Sequence, residues 1–329
     1  MRIGVWSLAH LHAYSYIAAL SARADVEFVG IADDEPERGA RVARERGIRF
    51  FPEADDLLAA ADAVVITSAN ADHRAMALRA AERGVSVLLE KPIATTLADA
   101  QAIVAAFAGG PTLAIAFPTP FSPAFEALQA DARAGALGRI LAVRTTNRGT
   151  MPGGFFIETE RSGGGAVIDH TVHVADLLRR LTGSEYERVY AEVGHGLFHE
   201  AWDDSGLLTL EMTDGAFATL DCSWSRPQSF PTWGDVTLRV IGERGNASAD
   251  LFGQRIVRYP AEEAPPRWEP WGSDLDALMI EDFIAAVREG RRPRSDGIDG
   301  LRALEVALAA YRSAEVGQPV RIADLCQGA

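Results

Sequence analysis

Over the first 118 residues, short uninterrupted apolar runs alternate with segments of helical period. Residues 2–6 (RIGVW), 26–33 (VEFVGIAD), 63–68 (AVVITS), 85–90 (VSVLLE) and 112–118 (TLAIAFP) lack the alternation of a half-exposed strand, and so predict strands buried on both faces. Between them, PERGARVARERG, HRAMALRAAERG and ADAQAIVAAFAGG repeat apolar positions at helical spacing and stop at glycine. Strand and helix in alternation predict right-handed crossovers and a doubly wound parallel sheet covered on both sides.

From about residue 140 the pattern changes. ILAVRTT, VYAEVG, GLLTLEM, AFATLDCSW, VTLRVIG and ASADLF alternate more openly, and Thr213-Asp214-Gly215 predicts a hairpin between two of them. These predict a large open sheet, mostly antiparallel. A long helix is expected from about Ala166 to Leu181, after Gly163-Gly164-Gly165, and two more near 276–289 and 298–316; EEAPPRWEPWGSD (262–274) reads as an ordered loop. The fold class is therefore α/β, with two domains at 1–118 and 119–329, in keeping with 329 residues at roughly 150 per domain.

Composition narrows the partners. Hydrophobic residues make up 48% and charged residues 24%, enough to bury a large core. The net charge is −14, and no Lys/Arg cluster stands out against it, so nucleic acid and anionic membrane are expected to be poor partners. Two cysteines are too few for a disulfide framework, no apolar run approaches the roughly 20 residues a bilayer needs, and His and Tyr interrupt the first residues where a signal peptide would be apolar. A cytoplasmic location is the expectation. Hidden in the basic total is a contrast: 31 arginines and a single lysine, Lys91. An ammonium is compact and tunable where a guanidinium is neither, so Lys91 marks a place where the two are not interchangeable.

In an open parallel sheet ligands bind beyond the carboxyl ends of the strands. Polar residues follow those ends here: Ser7-Leu8-Ala9-His10-Leu11-His12, Asp33-Asp34, Ser68-Ala69-Asn70 with His73, and Glu90-Lys91-Pro92. Asp33 lies 21 residues past His12, where a dinucleotide site places the carboxylate for its ribose; its charge repels a 2′-phosphate, favouring NAD over NADP. Further on, Asp169 and His173 are four apart on one helix face, the spacing at which a carboxylate orients an imidazole as a base. Five of seven histidines fall in these stretches, and H-x-H with D-H-x-x-H could ligate a divalent ion, although no metal is assigned. Asn147-Arg148-Gly149 could hydrogen-bond a polyol, and Trp224, Trp233, Trp268 and Trp271 could stack on a sugar ring, with Phe230–Gly234 as the candidate substrate loop.

Glu90-Lys91-Pro92, the preceding Ser68–His73 stretch, Gly163-Gly164-Gly165-Ala166-Val167-Ile168-Asp169 with His173, and the domain order together resemble the Gfo/Idh/MocA oxidoreductases, the glucose-fructose oxidoreductase and inositol dehydrogenase family, over nearly the whole chain. The resemblance implies a Rossmann domain holding NAD(P), and a C-terminal domain whose open sheet builds homodimers or homotetramers. It implies reversible hydride transfer between nicotinamide C4 and a carbinol carbon of a sugar, inositol or related polyol. Carried over by motif, Lys91 hydrogen-bonds the reacting hydroxyl, His173 takes its proton and Asp169 orients the pair. Asp33 holds the adenosine ribose with Arg38 near the adenine; Ser7, Leu8, Ala9, His10, Ser68, Asn70, His73 and Glu90 complete the cofactor set, and Asn147, Arg148, His170 and Trp233 face the substrate. Two departures stand out: the glycine-rich turn is S-L-A-H-L-H here, and Pro120 replaces an arginine often found before Phe121. A metal-dependent lyase or isomerase on the same fold, and a non-catalytic ligand sensor, are the alternatives.

Overall fold

The computed structural model describes residues 1–230, 232, 234–259 and 267–327. Two compact units divide the chain: Met1–Pro118, Gly154–Gly163 and Leu275–Leu304 form the first, and Thr119–Gly153, Gly164–Asp274 and Glu305–Ala329 the second.

The first unit runs β1 (Arg2–Trp6), α1 (Ala13–Ser21), β2 (Glu27–Ala32), α2 (Pro36–Arg46), α3 (Ala54–Ala60), β3 (Ala63–Ile66), α4 (His73–Glu82), β4 (Ser86–Leu89), α5 (Leu97–Ala106) and β5 (Leu113–Ile115). Its five strands pair in parallel in the order β2-β1-β3-β4-β5. Every residue of β3 and β4 is buried, as their unbroken apolar runs require. On α1 the buried residues are Ala13, Tyr16, Ile17 and Leu20, at the i, i+3, i+4, i+7 spacing of a single apolar stripe. Pro36 opens α2, and Gly47 closes it in the left-handed conformation. Winding reverses between β1 and β3, so the carboxyl ends there form the crevice in which such sheets take ligands.

In chain order there follow α6 (Pro123–Arg133), β6 (Ile140–Gly149), α7 (Thr159–Ser162), α8 (Ala166–Thr182), β7 (Tyr186–Gly194), β8 (Ser205–Met212), β9 (Phe217–Ser223), β10 (Gly234–Gly242), β11 (Asn246–Asp250), β12 (Arg255–Arg258), β13 (Arg267–Pro270), α9 (Leu275–Glu289), α10 (Gly297–Val316) and β14 (Val320–Arg321). The second unit's seven-stranded sheet has the order β11-β10-β6-β9-β8-β7-β14. All neighbours are antiparallel except β6 and β9, a parallel pair that needs the long crossover carrying α8. Fourteen of the seventeen residues of α8 are buried, among them Asp169, His170, His173 and Asp176. Part of the stretch expected to be a loop is a strand: Arg267–Pro270 pairs with Arg255–Arg258, and Arg255 stacks over Trp268 at 4.0 Å. Among the described residues no helix is long and apolar enough to cross a membrane.

Candidate functional site

At the end of β1 the chain reverses at Ser7, whose φ of 74° is the left-handed conformation that glycine adopts most easily. Tertiary bonds hold it there. The Ser7 amide donates to Ala32 O at 2.8 Å, Thr67 Oγ1 donates to Ser7 O at 2.6 Å, and the Ser7 hydroxyl donates to Asp34. The turn thus keeps a glycine-like path without a glycine. Its next amide, Leu8 N–H, donates to Asp33 Oδ1 at 3.0 Å. Arg38 grips the same carboxylate through Nε and Nη2 at 2.7 and 2.6 Å. Burial pushes the Asp33 carboxyl above its ordinary value, against the pull of Arg38. Arg38 is therefore seen as the clamp on Asp33, with Glu35 at 2.8 Å as a further partner.

Glu90 ends β4 with no exposure at all. Its Oε1 accepts from the Tyr16 hydroxyl at 2.7 Å and lies 3.0 Å from His12 Nδ1 and 3.6 Å from His10 Nδ1; Oε2 accepts from the Lys91 amide at 3.0 Å. Burial alone would raise the Glu90 carboxyl, but the imidazoles of His10 and His12, with Lys91, hold it well below the usual carboxylate range. Lys91 itself is 3% exposed and joined to Pro92 by a cis peptide. His73 is fully buried, and its Nδ1 donates to Pro92 O at 2.8 Å, so it braces the Lys91 turn from behind. Asn70 likewise looks inward, donating to Ser162 O at 2.8 Å. Ser68 donates to Ala69 O at 3.1 Å.

The second constellation lies on α8. Asp203 receives its first amides: Gly165 N–H and Val167 N–H donate to the two carboxylate oxygens at 2.7 Å each, and Ala166 N–H to Asp203 O at 2.9 Å. The Tyr311 hydroxyl donates to Asp203 and accepts from Gly165 and Ile168. One turn on, Asp169 Oδ2 accepts from Trp224 Nε1 at 3.2 Å and lies 3.3 Å from His170 Nε2. Asn147 donates to His170 O at 2.9 Å. His173 is 6% exposed, on the Asp169 face of the helix. Asp176, a further turn on, forms a two-pronged ion pair with Arg180.

Arg148 does not join Asn147. Successive strand residues face opposite ways, so while Asn147 points to α8, Arg148 lies on the other face of the sheet, bound to Asp235 at 3.0 Å. The expected substrate role of Arg148 is thereby corrected, because a single strand position separates the two faces. Trp224 is also not a platform for a sugar: it is 1% exposed and its indole N–H is committed to Asp169. Trp233 lies outside the described residues. Tyr16, Asp203 and Tyr311 escaped the sequence reading; only Tyr16 had a local signal, its spacing of four from His12.

A dinucleotide fits the first constellation on its own chemistry. The first turn of α1 contains no acidic residue to repel an anion, and a fixed carboxylate stands at the end of β2 for a ribose diol. Comparison with known proteins agrees. Residues 3–112 match the oxidoreductase family with an NAD-binding Rossmann fold, and residues 125–248 match the GFO/IDH/MocA C-terminal domain. The chain is 29% identical to a D-apiose dehydrogenase of Paraburkholderia graminis, over 98% of this chain and 88% of that one. It is 27% identical to a Bacillus subtilis scyllo-inositol 2-dehydrogenase (NAD(+)), over 97% and 95%. The crystal structure of GenD2 from gentamicin A biosynthesis in complex with NAD superposes with a TM-score of 0.88 at 26% identity, covering 98% of this chain and 96% of that one. The first two relatives are named dehydrogenases and the third is in complex with NAD, and none lends support to the lyase or sensor alternatives. With both family domains matched in order over more than two thirds of its length, the protein is a member of the Gfo/Idh/MocA family of NAD-binding oxidoreductases.

Proposed function

We propose that the protein is an NAD-dependent dehydrogenase that oxidises one carbinol carbon of a sugar, inositol or related polyol, with Lys91, His173 and Asp169 acting on the reacting hydroxyl. The observation that carries this reading is the placement of the lone lysine. In a chain that otherwise uses arginine throughout, the single ammonium is buried at the end of β4, beside the crevice of an NAD-binding sheet.

NAD, when bound, accepts the hydride. Everything else falls to the protein. Oxidising an alcohol also releases a proton, so a base must reach the hydroxyl, and His173, buried on α8, supplies it. The Lys91 ammonium stabilises the negative charge that grows on the same oxygen, in a buried setting where such stabilisation is large. Asp169, fixed by Trp224, orients the imidazole. Asp33 binds the ribose hydroxyls and repels a 2′-phosphate, which makes NADP the weaker cofactor. A cytoplasmic location, where a nicotinamide pool is available, is in keeping with this reading, and the face of the second unit's sheet away from α8 is proposed as the surface through which copies associate as a dimer or tetramer.

The test is to mix the protein with NAD and a panel of inositols, aldoses and sugar acids and follow the near-ultraviolet absorbance of reduced nicotinamide. Turnover is expected with at least one of them, and Lys91→Ala is expected to lower kcat by roughly 100-fold or more. Absence of NAD and NADP binding by calorimetry would refute the reading.

A further inference from the structure

His10 and His12 from the β1–α1 turn and Glu90 from the end of β4 bring one ligand-type atom each to within 4.8 Å of the others. His12 Nδ1 and His10 Nδ1 lie 3.0 and 3.6 Å from the same Glu90 oxygen. An ion with bonds of about 2.0–2.2 Å holds neighbouring donors about 3.0–3.5 Å apart, so two of these spacings need little adjustment. We propose that His10, His12 and Glu90 bind one divalent transition-metal ion that accepts mixed imidazole and carboxylate donors, such as Mn²⁺, Fe²⁺, Co²⁺ or Zn²⁺, and that its open positions accept the diphosphate oxygens of the dinucleotide.

The surroundings suit a metal centre. Two imidazoles and one carboxylate form a donor set that leaves positions free for another ligand. The open side is defined by burial: the side chains of Glu90 and His10 are 0% and 1% exposed, whereas His12 is 28% exposed. A supporting layer is present. The Lys91 amide holds Oε2 and leaves Oε1 turned to the imidazoles, while the Tyr16 hydroxyl sits 2.7 Å from Oε1 and 3.4 Å from His12 Nδ1. His10 Nδ1 accepts from the His12 amide at 3.1 Å, and an ion would take that lone pair by displacing the amide.

Charge gives the reason for an ion here. Rossmann turns meet the diphosphate with glycine-rich backbone. This turn, S-L-A-H-L-H, has no glycine and lies against a buried carboxylate, in a chain of net charge −14. A divalent ion between Glu90 and the diphosphate removes that repulsion.

The diphosphate contact rests on the NAD reading; the metal site does not. The experiment uses full-length protein carrying no polyhistidine tag, stripped with a chelator and titrated with Mn²⁺, Zn²⁺ and Co²⁺ by calorimetry, with Co²⁺ absorption reporting imidazole ligation. One ion per chain is expected, with affinity falling at least 100-fold in His12→Ala and Glu90→Gln and unchanged in His173→Ala. His12 is partly exposed, so its variant serves if Glu90→Gln does not fold. No ion bound, or binding that survives His12→Ala, overturns the site. NAD is then titrated into stripped and loaded protein: tightening by about tenfold or more supports the diphosphate contact, and equal affinity overturns it. Failure of NAD to bind either form sinks the proposed activity while leaving the metal result standing.

Discussion

Asp169 accepts from Trp224 Nε1 at 3.2 Å in a fully buried setting, and a hydrogen bond to a charged group there is worth about 1.5–3 kcal/mol. Trp224 touches neither substrate nor cofactor in the proposed reaction; it is a positioning residue for the carboxylate that orients the base. Trp224→Phe keeps most of the ring and removes the donor, so kcat is expected to fall about tenfold with KM and NAD affinity unchanged, since only the transition state depends on the base's aim. Steady-state kinetics with cofactor titration checks this, and a matching rise in KM would show general damage instead. Asp235 makes a different case. Burial raises its carboxyl, but donation from Thr146, Arg226 and Arg148 outweighs burial and holds it below the ordinary value. A depressed folded value means the charged form stabilises the fold fully above the unfolded value of about 3.9, and that this is lost as pH falls through the folded value. Asp235→Asn is therefore expected to cost about 1–2 kcal/mol at neutral pH and progressively less as acid takes the carboxyl below its unfolded value, as read from denaturant midpoints along a falling pH series.

At the scale of elements, the start of α8 decides whether the face proposed to carry the base is held in place. A Cβ at Gly165 would fall 1.9 Å from Asp203 O, a backbone atom that anchors the helix amides, and one at Gly164 would fall 2.1 Å from the Tyr311 hydroxyl. Neither neighbour yields without dismantling the cap. Gly165→Ala is expected to cost about 3 kcal/mol or more and to abolish turnover, whereas Gly153→Ala, at φ 71° with nothing within 4 Å, should cost only about 1 kcal/mol. Thermal melts of the two variants side by side make the comparison. The triple glycine and the Asp169–His173 spacing were readable because both are local. Their partners were not: Asp203 is 38 residues from Gly165, and Tyr311 146, so the cap exists only through tertiary contact. The five buried strands announced themselves through unbroken apolar runs, but the parallel pairing of β6 with β9 did not, since alternation records which face a residue takes and not strand direction. The seven-residue α3 buries only Leu57 and Leu58, too few positions for a period to show.

For the whole molecule the open question is what covers the face of the second unit's sheet turned away from α8. Leu207, Phe217 and Ile241 stand on it at 64%, 51% and 51% exposure, around a groove of about 750 Å³ lined by charges of both signs, among them Arg144, Glu192, Asp221 and Arg239. Large apolar side chains on an open sheet face mark an interaction surface, and mixed charges suit self-complementary pairing. In a two-fold interface each change counts twice, so Leu207→Glu removes about 2 kcal/mol per copy and weakens a dimer roughly 1,000-fold. Sedimentation equilibrium is expected to show an oligomer that Leu207→Glu dissociates while leaving the circular dichroism unchanged; a monomeric parent protein would contradict the assignment. Ionic strength separates the forces. Each copy carries −14, so an interface held by apolar burial must overcome net repulsion, and added salt, by screening it, should tighten association. An interface held mainly by pairs such as arginine with aspartate would loosen instead.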